Sequence, residues 1–254
     1  DLTPLHEISD NLKSKNVHMF DVEDNHKVLF SAMRRQGPLG KNPYYGTEIK
    51  YFIRDYNPAD SLVMSIEIRD EEGSLVRSFS SSSEYKSKKI DLQKGYSTLR
   101  WGGDVEGFVP PKGVMTPRGS DGYIQSFNVI PGKYNVTFAY GDYSKSSDFN
   151  ILSDPRSSVT DNNYNAKGNL LNKIHADINS IYESLDRMQD VRSQLNNLKG
   201  RLQTGYEDIK NLSAETISLV DKTESQLISP KQKTSQDVIN FRNQLDAQFL
   251  DLLN

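Results

Sequence analysis

The hydrophobic periodicity of this chain changes sharply near Asp154-Pro155-Arg156. Before that point apolar and polar residues alternate, which is the period of a half-buried β-strand. Beyond it, apolar residues recur every three or four positions, which is the period of an amphipathic helix. Because the two patterns occupy separate stretches, we expect a multidomain α+β protein in which a β domain precedes a helical domain.

The predicted β domain covers residues 46–153. Its clearest alternations are Ile49, Tyr51 and Ile53; Leu62, Met64, Ile66 and Ile68; and Tyr134, Val136, Phe138 and Tyr140. About seven strands in about 105 residues indicate an immunoglobulin-like antiparallel β-sandwich, in which we expect Trp101 to be buried. The Gly- and Pro-rich stretch 102–128 exceeds ordinary loop lengths and is interpreted as an insertion.

The predicted helical domain covers residues 154–254 and begins with a coiled-coil-like heptad seam about 35 residues long. The seam consists of Leu171, Ile174, Ile178, Ile181, Leu185, Met188, Arg192, Leu195, Lys199 and Leu202. Since Arg192 and Lys199 replace apolar residues, we expect the C-terminal half of the seam to be less tightly buried.

Two further helices are predicted after a break at Thr204-Gly205. The second helix, ending at Ser229-Pro230, is expected to turn Ile209, Leu212, Thr216, Leu219, Thr223 and Leu227 inward. The third is expected to begin after an N-cap at Ser235 and to turn Val238, Phe241, Leu245, Phe249 and Leu252 inward. Together the helices predict an antiparallel helical hairpin or three-helix bundle.

Charge and composition exclude several classes of function. The net charge is −3 and no basic cluster stands out, so we expect no nucleic-acid binding. The chain has no cysteine, which excludes disulfides and thiolate zinc sites. No stretch approaches the roughly 18 apolar residues of a membrane helix, so we expect no membrane insertion.

The residues that catalysis or metal binding would need are present but not arranged for either. A glycosidase needs two carboxylates across a sugar, and nothing pairs Asp104, Glu106 or Asp121 of the insertion. The acidic residues around Asp24, with His26, lack the glycine and the spacing of an EF-hand. We therefore expect this chain to contain no catalytic, cofactor or metal site.

Two surface features allow more than one interpretation. Trp101, Tyr134 and Tyr140 are either core residues of a sandwich or a platform for a sugar. Asp60-Ser61-Leu62 resembles an acidic-hydroxyl-apolar tripeptide that some bacteria O-glycosylate, and it equally fits the start of a strand after Pro58.

Three stretches together resemble a known family. They are Asp1-Leu2-Thr3-Pro4-Leu5, the segment from Asn42 to Tyr51, and Trp101 followed by Pro131-Gly132-Lys133-Tyr134-Asn135-Val136. They are similar to the C-terminal region of bacterial sortilin-type, BNR-repeat β-propeller proteins, often labelled glycosyl hydrolases. The resemblance implies that residues 1–45 are the end of a preceding propeller plus a linker, and that any hydrolase activity belongs to that propeller.

The resemblance also implies a function. The chain is expected to be a non-catalytic accessory or interaction region of a larger secreted or cell-surface protein, extracellular or periplasmic. It would contact the propeller of the same protein and other proteins through the helical domain. The alternatives are a carbohydrate-binding module of a glycoside hydrolase and a helical adaptor that binds another chain. For residues 1–45, the alternative to docking on a propeller is a long arm that wraps the sandwich.

Overall fold

The computed structural model describes residues 15–28, 45–112, 114, 123–202, 204–229 and 244–253. Within these residues the protein is mixed α+β, with largely antiparallel sheets and three α-helices, which confirms the expected class. The chain divides into two compact units. The sheet unit extends to Glu106 and resumes from Asn128 to Gly168, whereas the helical unit consists of Gly107–Phe127 and the residues from Asn169 onward.

Eight strands of the described residues build two sheets. They are β1 Val17–Met19, β2 Asn25–Lys27, β3 Thr47–Ile53, β4 Met64–Asp70, β5 Leu75–Ser80, β6 Gly95–Trp101, β7 Gly132–Tyr140 and β8 Tyr143–Ser153. One sheet has the order β1-β3-β6 and the other has the order β2-β8-β7-β4-β5. All neighbouring strands are antiparallel except β2 and β8, which are parallel.

The predicted alternation of buried and exposed side chains holds within β4, but it does not extend to the residues before Met64. Met64, Ile66 and Ile68 are buried, as expected of a strand with one face in the core. Leu62 is exposed and lies outside the strand, so its prediction as an inward residue is wrong. The reason is local: Ser61 has a left-handed φ of 51°, which interrupts the extended backbone just before β4.

The two sheets share one hydrophobic core. Tyr51 of β3 and Phe138 of β7 bring ring centroids within 5.5 Å across it. Trp101 is 1% exposed, and its ring meets those of Tyr134 and Phe149 edge-on at 6.2 and 6.3 Å. Burial of Trp101 is therefore confirmed, and the sheet unit is held together by aromatic contacts between its sheets.

Strands β1 and β2 lie in the segment that the sequence suggests as a propeller end and linker. β1 pairs with β3, and β2 pairs with β8. Between them, the Asp24 carboxylate accepts a 2.7 Å hydrogen bond from the Asn150 backbone N–H. Residues 17–27 thus bond to the chain's own sheets, as the long-arm alternative anticipates. The resemblance at Asp1-Leu2-Thr3-Pro4-Leu5 falls outside the described residues.

Three helices follow the sheets: α1 Asp161–Arg201, α2 Glu207–Leu227 and α3 Leu245–Leu252. The seam predicted for α1 is confirmed, because Leu171, Ile174, Ile178, Ile181 and Leu185 are buried. Its C-terminal half is less covered, as predicted: Met188, Arg192, Leu195 and Lys199 are only half-buried. In the part of the chain described by the structure, no helix is long and apolar enough to cross a membrane.

The inward faces predicted for α2 and α3 are wrong in part. Ile209, Leu212 and Leu219 of α2 are exposed, and so are Leu245 and Leu252 of α3. The buried positions are instead Ser213 and Glu224 in α2, and Asp246, Ala247 and Leu250 in α3. The buried positions of α2 are polar, so hydrophobic periodicity selects the wrong side of that helix. Ser235, Val238 and Phe241 fall outside the described residues.

The outer part of the insertion contributes to the core of the helical unit. Phe108 and Ile124 exchange two backbone hydrogen bonds of 2.9 and 2.8 Å, and both side chains are buried. The Phe108 ring lies 4.6 Å from the ring of His175 on α1 and 6.3 Å from that of Tyr182. These contacts place residues 107–112 and 123–127 with the helices, although the sequence assigns them to the β domain.

Candidate protein-interaction surface

The carboxylates considered for catalysis are held in ion pairs of the sheet unit. Asp104 lies 3.3 Å from the guanidinium of Arg77, a buried residue of β5. Glu106 lies 2.6 Å from the Lys88 ammonium and accepts hydrogen bonds from the backbone N–H and the hydroxyl of Ser78. These bonds fix the start of the insertion to β5, which is a structural role. Asp121 falls outside the described residues.

The acidic residues before β2 also form ion pairs and hydrogen bonds within the sheet unit. Asp21 pairs with the Lys145 ammonium at 2.6 Å, and the Asp24 carboxylate accepts from Asn150. His26 lies outside this set, with its Nδ1 atom 3.2 Å from the Ser153 carbonyl oxygen. No group of three or more His, Cys, Asp or Glu side chains suited to a metal ion occurs among the described residues.

The aromatic residues considered as a sugar platform are core residues. Trp101, Tyr134 and Tyr140 are all buried. The Trp101 Nε1 atom donates to the Asp104 carbonyl oxygen, and the Tyr134 hydroxyl donates to that of Ile130. Burial raises the pKa of Tyr134 to about 12. Because all three rings are buried, a sugar cannot stack on these residues.

An exposed apolar stripe on α2 is the clearest surface feature of the helical unit. It consists of Ile209, Leu212, Thr216, Leu219 and Thr223, spaced alternately by three and four residues, and is called the α2 seam below. That spacing places all five side chains along one side of a helix. Ile209 is 43% exposed, Leu212 63% and Leu219 64%.

The two threonines of the α2 seam have their hydroxyl protons bonded within the helix. The Thr216 hydroxyl donates to the Leu212 carbonyl oxygen at 2.8 Å, and the Thr223 hydroxyl donates to that of Leu219 at 2.9 Å. With its donor satisfied by the preceding turn, each threonine can offer its methyl group to a neighbour. The α2 seam is therefore more apolar than its composition suggests.

An ion-pair cluster fixes which side of α2 meets α1. The Arg192 guanidinium of α1 donates to the Asp221 carboxylate at 2.9 Å and also to that of Glu224. Glu224 is buried, so this side of the helix is the covered one. The two leucines of the α2 seam are largely exposed, so the seam is not the side that these ion pairs hold.

Charged residues border the α2 seam along one edge. Asp208, Glu215 and Lys222 are all exposed and follow one another at intervals of seven residues. In a pair of packed helices these are flanking positions, where charges select the partner and its direction. The edge therefore presents two acidic groups and then one basic group.

The sequence matches no model of a known protein family and no curated protein sequence at a significant level.

Proposed function

We propose that the chain is a non-catalytic interaction region of a larger secreted or cell-surface protein, and that α2 binds an amphipathic helix of a partner protein. The observation that carries the proposal is the exposure of Leu212 and Leu219 within a heptad-spaced stripe. Clustered exposed apolar residues rimmed by charge are typical of protein-binding surfaces, whereas single exposed leucines are common. An exposed apolar stripe on a helix favours a helical adaptor, whereas a sugar-binding module would expose aromatic rings.

The energy of this contact is modest. Fully burying a leucine or isoleucine gives about 1.5–3 kcal/mol. Since Ile209, Leu212 and Leu219 are already about half covered, burying the rest contributes roughly 3 kcal/mol in total. Association also costs several kcal/mol of lost freedom, so we expect a reversible contact whose partner is selected by the charged edge.

The charged edge indicates which charges a partner helix should carry. Basic residues opposite Asp208 and Glu215, and an acidic residue opposite Lys222, complement it. A second copy of α2 packed antiparallel about Glu215 would bring that residue against Glu215 of the copy, but it would also bring Asp208 against its Lys222. The occupant that we propose for the α2 seam is a different protein, whose helix edge is basic opposite Asp208 and Glu215 and acidic opposite Lys222.

We propose further that the sheet unit is an immunoglobulin-like sandwich. The proposal is supported by the strand order, in which β1 joins one sheet and β2 joins the last strand of the other. It is also supported by the single aromatic core that the two sheets share. On this interpretation the sheet unit is a rigid spacer, and the helical unit provides the binding surface.

The parent protein is proposed to be a sortilin-type propeller protein. Of the stretches that carry the resemblance, Thr47–Tyr51 lies in β3, Trp101 ends β6 and Gly132–Val136 begins β7, all within one sheet unit. Mass spectrometry of the native protein tests this proposal. A mass and peptides that include BNR repeats before Asp1 would support it, and a native protein without them would overturn it.

Site-specific cross-linking in the native host tests the proposed helix contact. A photoreactive residue in place of Leu212 or Leu219 should capture one and the same partner protein at both positions. The matched control is Leu170, an equally exposed leucine of α1 at 60%. L212Q/L219Q should abolish co-purification of that partner. Equal capture from Leu170, capture of a second copy of this chain, or co-purification unaffected by L212Q/L219Q would overturn the proposal.

A further inference from the structure

A small cleft, with a cavity volume of about 20 Å³, lies in the sheet unit. It lies where β2 ends, β3 begins and the chain leaves β6. Its lining includes Lys27, Gly46, Thr47, Gly103 and Asn128. Of the described residues that line it none is acidic, and its titratable groups are Lys27, His26 and Tyr45.

Lys27 is half-buried at the end of β2. Its ammonium donates a hydrogen bond to the Val129 carbonyl oxygen, which is a neutral acceptor. Burial, the larger cause, and the nearby Lys167 ammonium together lower the pKa of Lys27 to about 8. Among the described residues no carboxylate pairs with either lysine. The ammonium thus lies in a site that is electrostatically suited to an anion.

Thr47 supplies a second, independent observation. The residue begins β3 and is 2% exposed. Its hydroxyl has no hydrogen-bond partner among the described residues. Buried hydroxyl groups are ordinarily bonded, so the unbonded hydroxyl of Thr47, a residue that lines the cleft, is a candidate donor to a ligand oxygen.

Two glycines with positive φ also line the cleft. Gly46 has a φ of +112°, and a Cβ atom there would lie 2.2 Å from the Trp101 carbonyl oxygen. Gly103 also has a positive φ, of +86°. Gly46 therefore cannot carry a side chain, because both its backbone conformation and the contact with the Trp101 carbonyl oxygen exclude one.

We propose that this cleft binds a carboxylate group, whose two oxygen atoms accept hydrogen bonds from the Lys27 ammonium and the Thr47 hydroxyl. A carboxylate has one negative charge and two acceptor atoms, which matches one ammonium and one hydroxyl. A phosphate dianion is usually held by more donors, often guanidinium groups or several backbone N–H groups. The carboxylate can belong to a small acid or to the C-terminus of a peptide.

Titration of the full chain tests the site, with the Lys27 side chain observed by NMR. Acetate represents a small acid, acetyl-triglycine represents a peptide C-terminus, and inorganic phosphate serves as the comparison. We expect acetate, acetyl-triglycine or both to shift the Lys27 resonances and phosphate to bind more weakly. Stronger binding of acetyl-triglycine assigns the site to a C-terminus, and stronger binding of acetate assigns it to a small acid; both support the proposal.

The pH dependence and three variants separate a site from a general charge effect. Because the Lys27 pKa is about 8, carboxylate affinity should fall about tenfold between about pH 7 and about pH 9. K27M and T47V should each reduce the affinity at least severalfold while the thermal unfolding curve is retained. K133M, at an exposed lysine paired with Glu71, should leave it unchanged. Affinity that is independent of pH, equal in K27M and K133M, or greater for phosphate would overturn the proposal.

Discussion

Asp246 makes the attachment of α3 dependent on pH. It lies in the first turn of α3 and is 4% exposed. Burial raises the pKa of Asp246 from 3.8 to about 6, although backbone N–H groups of Ala247 and of Asp246 itself partly offset this. Tyr182 of α1 lies nearby, since the Asp246 charge helps burial to raise the pKa of its phenol. The Tyr182 hydroxyl has no hydrogen-bond partner among the described residues.

The direction of the effect follows from proton linkage. Because the pKa is higher in the folded state, folding favours the protonated carboxyl. Its contribution to stability is fully present below about pH 4 and is lost as pH rises through about 6. The difference between 3.8 and about 6 corresponds to about 3 kcal/mol. Above that pH, packing of α3 onto the rest of the helical unit leaves a buried negative charge.

Asp246→Asn removes this charge and keeps the size of the side chain. We expect it to stabilise the attachment of α3 at about pH 8, by up to about 3 kcal/mol from the lost ionisation. The variant also loses an anion at a helix N-terminus, which is worth about 0.3–1 kcal/mol. The net gain should be about 2 kcal/mol. Between about pH 4 and about pH 7 the pH dependence should largely disappear.

Native-state hydrogen exchange of the backbone amides of Leu245–Leu252 measures this quantity. Exchange free energies are compared between the wild type and Asp246→Asn across the pH range. Asp186→Asn on the exposed surface of α1 is the control for a lost carboxylate that is not buried. An unchanged pH profile in Asp246→Asn, or weaker protection at about pH 8 than in the wild type, would refute the reasoning.

Three further variants test the packing of each unit. Arg77→Met should destabilise the sheet unit by about 3–5 kcal/mol, because Asp104 loses its buried partner. Urea unfolding followed by Trp101 fluorescence measures this, and an unchanged midpoint would contradict a stabilising role of the ion pair. Gly46→Ala should cost about 1–3 kcal/mol or more in the same assay, because of its positive φ and the contact with the Trp101 carbonyl. Phe108→Ala should destabilise the helical unit by about 3–5 kcal/mol, as seen in the loss of amide protection along α1, and full protection would count against its place in that core.

Periodicity predicted the elements whose pattern is long and has one interpretation. The α1 seam extends over many turns, and its buried half ends at Leu185, before Met188 and Arg192. The side chains of β4 and β7 alternate between a buried and a more exposed face, and neither strand lies at an edge of its sheet. Such elements are specified by hydrophobic burial alone, which the sequence displays directly.

The short strands β1 and β2 could not be predicted in the same way. Each has three residues, too few for alternation to differ from chance. Their positions depend on long-range backbone hydrogen bonds to β3 and β8. The same limit applies to the cleft, because Lys27 and Thr47 are 20 residues apart and meet only when β2 and β3 enter different sheets.

The orientation of α2 depends on a contact that hydrophobic periodicity does not register. Ile209, Leu212 and Leu219 form as regular a stripe as any in the chain, yet they are exposed. The covered side instead contains Glu224, which is polar and therefore absent from a hydrophobic pattern. In the hydrophobic pattern, Arg192 is only an interruption of the α1 seam. Considered as a partner for an acidic residue on the next helix, it would have indicated the correct side.

The insertion shows why a boundary drawn from periodicity differs from the division into compact units. The N-terminal half of α1 buries Ile181 and Tyr182 side by side, a stripe wider than a heptad seam requires. A wider stripe needs more covering surface than a narrow helix–helix contact supplies. Phe108 and Phe127 provide it, since both rings pack against His175 on the same helix. Long insertions rich in aromatic residues rarely remain solvated, so their apolar content indicates a second surface to be covered.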